Sequence, residues 1–95
     1  LEPSDAYFAE RPGRFFASGH SHVQYLWHGT GKTWCNPGSV GQPRDGHTQA
    51  MYALLDTERA QLTFHRVPYD YHAAAAAIRR AGLPEFFAHR LEEGR

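Results

Sequence analysis

The sequence contains a single cysteine, no excess of either charge and no long apolar run, and each shortage excludes a kind of protein. Without a partner for Cys35 an intrachain disulfide is impossible, and its aromatic and apolar neighbours predict a small buried side chain in a reducing, cytoplasmic setting. Ten basic residues balance ten acidic ones with no block of like charge, which argues against nucleic-acid binding by bulk electrostatics. The longest apolar runs, 50–55 and 73–78, have six residues each, whereas a membrane span needs about 20.

The sequence also has no initiator methionine. It begins at Leu1 without the basic start, apolar stretch and cleavage site of a signal peptide, so we expect it to be part of a longer protein. Its composition is globular, because 41% of the 95 residues are hydrophobic and 14% are aromatic, which suffices for one small domain with a modest core.

Local patterns predict an α/β chain in which short strands precede two terminal helices. The predicted elements, in order, are a helix over 4–10 capped by Ser4, a buried strand over 14–18, a hairpin of strands 23–28 and 32–35, a hairpin of strands 49–56 and 61–67, and helices over 71–81 and 84–92. Because both hairpins are local in sequence, we expect their strands to be antiparallel.

The connections between these elements follow from glycine, proline and aspartate. Residues 29–31 predict a three-residue hairpin loop, and residues 36–47 predict a long irregular loop because they hold three glycines and two prolines. Asp70 is the expected cap of the first terminal helix, whose alanine run predicts close packing on a sheet. Pro84 is expected in the first turn of the last helix.

His20 and His22 are the first candidates for chemistry. They are one residue apart at the end of a predicted strand, where an extended backbone would direct both imidazoles to the same side. With seven histidines in the chain, chance placement gives about half an occurrence of such a pair, so the spacing alone is weak evidence. Gly19 lets the backbone turn sharply there, and strand ends are where open α/β sheets bind ligands.

The surrounding residues form a more specific pattern. Gly-His-Ser-His at 19–22, followed by Asn-Pro-Gly-Ser-Val-Gly at 36–41, is similar to the closing signature of small bacterial calcineurin-like phosphoesterases, which usually reads Gly-His-Thr-His and then Asn-Pro-Gly-Ser. The similarity continues through nearly the whole chain. It implies that residues 1–95 are the C-terminal part of a single metallophosphoesterase domain, a two-sheet sandwich flanked by helices.

The resemblance also implies an activity and its residues. In that family a metal-bound hydroxide at a binuclear centre attacks the phosphorus of a phosphomonoester or phosphodiester, and His20 would bind one metal ion and His22 the other. Imidazole suits manganese, iron, zinc or nickel, and its presence does not identify which of them is bound. The expected partner is a small phosphoester, nucleotides included, and the oligomeric state is not specified.

The loop after the first hairpin supplies the candidate substrate residues. A glycine-rich backbone permits close approach to an anion, and an arginine can grip a phosphate. An ordinary turn, with Arg44 paired to Asp45 on the surface, is the alternative. The candidates for substrate or cleft contact are Asn36, Gly38, Ser39 and Arg44.

The family's other metal-binding motifs, Asp-x-His, Gly-Asp-x-x-Asp and Gly-Asn-His, have no counterpart in this sequence. We therefore expect the intact protein to be the enzyme and residues 1–95 alone to be inactive. A metal-free scaffold module of the same fold is one alternative. A cupin-like mononuclear enzyme is a weaker one, because residues 26–28 lack the glutamate that such a site needs after its His-x-His.

Overall fold

A computed structural model describes residues 13–95, and the helix predicted over 4–10 lies outside the described residues. The chain is α/β, as predicted. Its elements, in order, are β1 (Phe15–Ala17), β2 (Gln24–Gly29), β3 (Lys32–Pro37), β4 (Ala50–Asp56), β5 (Gln61–Val67), α1 (Tyr71–Arg80) and α2 (Glu85–Glu93).

The first sheet has three strands in the order β1-β3-β2. β2 and β3 form the predicted antiparallel hairpin, while β1 runs parallel to β3. The predicted three-residue loop is wrong, because Gly29 pairs with Lys32 and only Thr30 and Gly31 connect the strands. Gly31 adopts a φ of 67°, which glycine reaches without steric cost.

Two further predictions about this sheet need correction. The strand predicted as buried is only half-buried at Phe15 and Phe16 and exposed at Ala17, because β1 lies at an edge of the sheet. Asn36 and Pro37, predicted to lie in the loop, extend β3 instead. Pro37 is the last residue of the strand, a position where a missing N–H disturbs the ladder least.

The second sheet consists of the predicted antiparallel hairpin of β4 and β5. The Asp56 carboxylate orders its turn by accepting hydrogen bonds from the backbone N–H groups of Glu58 and Arg59.

Residues of both sheets line an apolar cavity of about 240 Å³. The buried hydrophobic residues of the described chain are Cys35, Met51, Ala75, Ala88 and Leu91. Burial raises the pKa of the Cys35 thiol, as expected for a structural cysteine.

The two helices begin and end close to the predicted residues. The Asp70 carboxylate caps α1 by accepting from the Ala73 N–H at 3.0 Å, as predicted. Gly82, with a φ of 73°, ends it in a Schellman motif. Pro84 is the N-cap of α2 rather than a residue of its first turn. Within residues 13–95, α1 makes its main contact with α2, and packing of the alanine run on a sheet stays a prediction. No helix within residues 13–95 is long and apolar enough to cross a membrane.

Candidate metal site

His20 and His22 lie in the loop between β1 and β2, and neither has an extended backbone. β1 ends at Ala17, and the φ angles of the two histidines are 80° and 60°. The idea that strand alternation aligns the imidazoles is therefore wrong, because alternation applies only to extended residues. A non-glycine residue in this left-handed region costs about 1–3 kcal/mol and persists only where its surroundings hold it, most often at functional sites.

The ring of His22 is oriented by a backbone carbonyl. Its Nδ1 lies 2.8 Å from the carbonyl oxygen of Gln42, which can only accept a hydrogen bond. Nδ1 therefore carries the proton of the neutral ring, and Nε2 is left with an unprotonated lone pair. The backbone carbonyl of His22 in turn accepts from the Arg44 N–H at 3.1 Å. His22 is thus tied at its ring and at its backbone to the loop that follows β3.

His20 is exposed, and the contacts that hold it come from its neighbours in the loop. The side-chain nitrogen of Asn36 donates to the carbonyl oxygen of Gly19 at 3.1 Å and to the hydroxyl of Ser21 at 2.9 Å. Asn36 itself is only 2% exposed. The buried side chain of Asn36 in β3 therefore bonds to both neighbours of His20, at the backbone of Gly19 and at the hydroxyl of Ser21.

The loop after β3 is attached to β4. The backbone carbonyl of Ser39 accepts from the Met51 N–H at 3.0 Å, and the Ser39 hydroxyl accepts from the Gln42 N–H at 2.9 Å. Gly38 has a φ of 87°, and its N–H donates to the side-chain oxygen of Asn36 at 2.9 Å. The two bonds of Ser39 fix the position of Gln42, whose carbonyl orients His22.

Arg44 does not form the predicted surface ion pair with Asp45. Its Nη2 donates to the side-chain oxygen of Gln42 at 2.9 Å, and its buried Nε has no hydrogen-bond partner within the described part of the chain. Asp45 instead pairs with Arg66 of β5 at 2.6 Å. The Arg44 guanidinium is therefore held by the side chain of Gln42 rather than by Asp45.

The donor set fits part of a metal site. Two neutral imidazoles are ligands that transition metals accept, and the hydrogen bond at Nδ1 of His22 leaves its Nε2 lone pair available to a metal ion. Within residues 13–95, however, no group of three or more His, Cys, Asp or Glu side chains is placed to hold a metal ion. Carboxylate ligands must therefore come from outside the described residues if the site is to hold two cations.

Sequence reasoning missed two supports of this site. Gln42 orients His22 through its backbone carbonyl, which carries no residue-specific signal. Asn36 was predicted as a substrate or cleft residue, and the described structure shows its amide bonded to the chain itself. Its position beside a proline and a glycine at the end of β3 was the available clue. Substrate contact by Gly38, Ser39 and Arg44 stays a prediction.

Comparison with known proteins adds an independent line of evidence. A family model described as the calcineurin-like phosphoesterase superfamily domain matches residues 2–60. The uncharacterized protein MJ0912 of Methanocaldococcus jannaschii is 36% identical over 92 residues, an alignment that covers 81% of this chain and 38% of that protein.

Two solved structures are similar to the described fold. The metallophosphoesterase from Sphaerobacter thermophilus superposes with a TM-score of 0.85 at 33% identity, and the match covers 93% of this chain and 45% of that one. The hypothetical protein PH1004 from Pyrococcus horikoshii shares the fold, with a TM-score of 0.77 at 24% identity over 86% of this chain and 32% of its own. The chain thus spans less than half the length of each of these relatives.

Proposed function

This chain belongs to the calcineurin-like phosphoesterase superfamily, and from that membership we propose that it forms the C-terminal part of a metal-dependent phosphoesterase in which His20 and His22 each bind one of two divalent metal ions. The protein's activity would then be hydrolysis of a phosphoester. The family model identifies the superfamily, and the two proposed metal ligands lie in the loop between β1 and β2.

The observation that carries this proposal is the hydrogen bond from His22 Nδ1 to the Gln42 carbonyl. Metal-binding histidines nearly always donate their other ring N–H to a carbonyl, carboxylate or water, which fixes both the tautomer and the direction of the ring. The carbonyl belongs to a residue 20 positions away in the sequence, so the ring of His22 is oriented only when the two loops of the site come together. The geometry of His22 therefore supports a ligand role in the absence of any bound ion.

The strained backbone of the loop supports the same role for His20. Two histidines at positive φ within three residues store free energy that a simple connection could avoid, for example with glycine at those positions. The exposure of His20 leaves its ring accessible from outside the described chain. The remaining ligands, including a bridging carboxylate, would approach from that side.

Two divalent cations held at such a site would lower the pKa of water and compensate the charge on the attacking and leaving oxygens of the ester. The chain's own part is to supply neutral nitrogen ligands and to fix their direction. Manganese, iron, zinc and nickel all accept imidazole, so the metal is left open.

We propose that the substrate is a small phosphoester, nucleotides included, contacted by the loop after β3. Arg44 is the cation nearest this loop's Gln42, and a guanidinium can bond two phosphate oxygens at once. The Ser39 hydroxyl can donate to a phosphate while it accepts from the Gln42 N–H, and Gly38 lets the loop pack closely against Met51. Because Asn36 is buried, its proposed part is support rather than substrate contact.

The experiment that tests this proposal compares His20→Ala and His22→Ala with His28→Ala in the natural full-length protein. His28 is an exposed histidine of β2 outside the loop, so its removal should change neither metal content nor turnover. We expect each loop variant to lose metal, measured by elemental analysis, and to lose turnover of an aryl phosphodiester by orders of magnitude. Full metal content and full activity in both loop variants would refute the assignment. Wild-type protein that binds no divalent metal would favour the metal-free scaffold alternative.

A further inference from the structure

The side-chain amide of Asn36, at the end of β3, donates both of its N–H groups to the loop between β1 and β2. Its nitrogen carries two N–H donors, and the acceptors are the Gly19 carbonyl and the Ser21 hydroxyl, at 3.1 and 2.9 Å. These acceptors belong to the residues immediately before and after His20. The two neighbours of His20 are therefore held by one side chain, through the backbone of Gly19 and the hydroxyl of Ser21.

The orientation of this amide is determined by its third bond. The Asn36 oxygen accepts from the Gly38 N–H at 2.9 Å, and a rotated amide would place its NH₂ group against that N–H. Gly38 cannot move away easily, because Met51 packs against it. The direction in which Asn36 donates is thus set by the attachment of its own loop to β4.

His22 is supported by different atoms. Its ring donates to the Gln42 carbonyl and its carbonyl accepts from the Arg44 N–H, and neither bond involves Asn36. The two histidines therefore have separate supports. Loss of the Asn36 amide should change the position of His20 and leave the ring of His22 bonded.

We infer that Asn36 is a positioning residue that holds the backbone of His20 in its left-handed conformation, so that the His20 imidazole is directed at one of the two metal ions while His22 is fixed independently. This inference rests on the proposed function for the identity of the ligand. The bonds by which Asn36 positions His20 involve no metal ion, so they can be tested in the metal-free protein.

The test uses Asn36→Ala and Ser21→Ala in the natural full-length protein, with Cys35→Ala as the matched control. Cys35 is the buried neighbour of Asn36 in β3, and its removal should lower stability without reaching the histidine loop. Ser21→Ala removes one of the two acceptors from an exposed residue, so it tests the inference even if Asn36→Ala does not fold.

The first readout is the ¹⁵N resonances of the histidine rings in the metal-free protein. Asn36→Ala should shift or broaden those of His20 while those of His22 keep the wild-type tautomer. The second is a manganese titration, in which the site of His20 should weaken about 10- to 100-fold, the usual effect of removing a residue that orients a ligand. Ser21→Ala should weaken it less, and Cys35→Ala should leave both readouts unchanged.

Unchanged His20 resonances in both Asn36→Ala and Ser21→Ala would overturn the inference, as would an equal loss at both histidines or an equal effect of Cys35→Ala. The metal-free readout separates this failure from that of the proposed function. If His20→Ala leaves metal binding intact, the proposed ligand role fails, whereas a selective shift of His20 in Asn36→Ala would still show that Asn36 positions it.

Discussion

Arg66 Nη1 lies 2.6 Å from the Asp45 carboxylate, an ion pair that joins the loop after β3 to β5. The same guanidinium donates through Nε to the side-chain oxygen of Gln24 at 3.1 Å, so it also reaches β2. The Asp45 side chain is 11% exposed and that of Arg66 37%, which places the pair between a surface contact and a buried one. This arrangement connects three segments that are far apart in the sequence.

We therefore expect Arg66→Ala to destabilise the fold by about 1–3 kcal/mol, because it leaves a poorly solvated carboxylate without its partner. Urea unfolding measures the change. Arg59→Ala is the control, since its ion pair with Asp56 spans 3.9 Å and its side chain is 77% exposed. Such a surface pair contributes about 0–1 kcal/mol. Equal losses of unfolding free energy in the two variants would show that the ion pair of Asp45 and Arg66 stabilises the fold no more than an exposed pair does.

Gly38→Ala should destabilise the protein and disturb the site together. A Cβ at this position would lie 2.9 Å from Met51 Cβ, an atom that no side-chain rotation can move, and the φ of 87° would be strained in addition. We expect a loss of about 1–3 kcal/mol in the free energy of unfolding. Gly41→Ala, where a Cβ meets nothing within 4 Å, should cost far less. Thermal unfolding of both variants measures the two losses of stability. A loss in Gly41→Ala as large as that in Gly38→Ala would contradict the prediction.

The stretch from Asp70 to Gly82 shows what the sequence could predict. The cap, the alanine run and the terminating glycine act within one helix, so propensity and capping rules find its bounds to within one residue. The contact between α1 and α2 was not predicted, because composition shows that a helix packs closely but does not identify its partner.

The candidate site shows what the sequence could not predict. His20 and His22 were predicted as ligands from their spacing and family signature, yet their left-handed backbone was missed, since the contacts around them come from β3 and the loop after it, which lie further along the sequence. Arg44 and Asp45 are adjacent in sequence and were paired for that reason. The fold turns Asp45 towards Arg66 instead, a contact that no local rule contains.

The contact between the helices should depend on pH. Arg79 of α1 donates two hydrogen bonds to Glu92 of α2, at 2.7 and 3.2 Å, and these bonds hold the pKa of the Glu92 carboxyl below its usual value. A carboxyl with a lowered pKa in the folded state contributes stability above its unfolded pKa of about 4.3 and loses it as the pH falls through the lower folded value. Wild-type protein should therefore lose stability on acidification below about pH 4.3 more steeply than Glu92→Gln. Parallel acid unfolding curves for the two proteins would contradict this, and high salt should reduce the difference because the pair is accessible to solvent.

Residues 1–95 expressed alone should be catalytically inactive and should bind divalent metal only weakly. The described part of the chain brings no third His, Cys, Asp or Glu side chain to His20 and His22. Two neutral imidazoles compensate none of the mutual repulsion of two cations, which a binuclear site relieves with carboxylates. The measurement is manganese-dependent hydrolysis of an aryl phosphodiester by residues 1–95 and by the natural full-length protein, with circular dichroism to establish that the shorter chain is folded. Folded but inactive protein is the expected result. Robust turnover by residues 1–95, abolished by His20→Ala, would instead establish a smaller, mononuclear mechanism built on the two histidines of this loop.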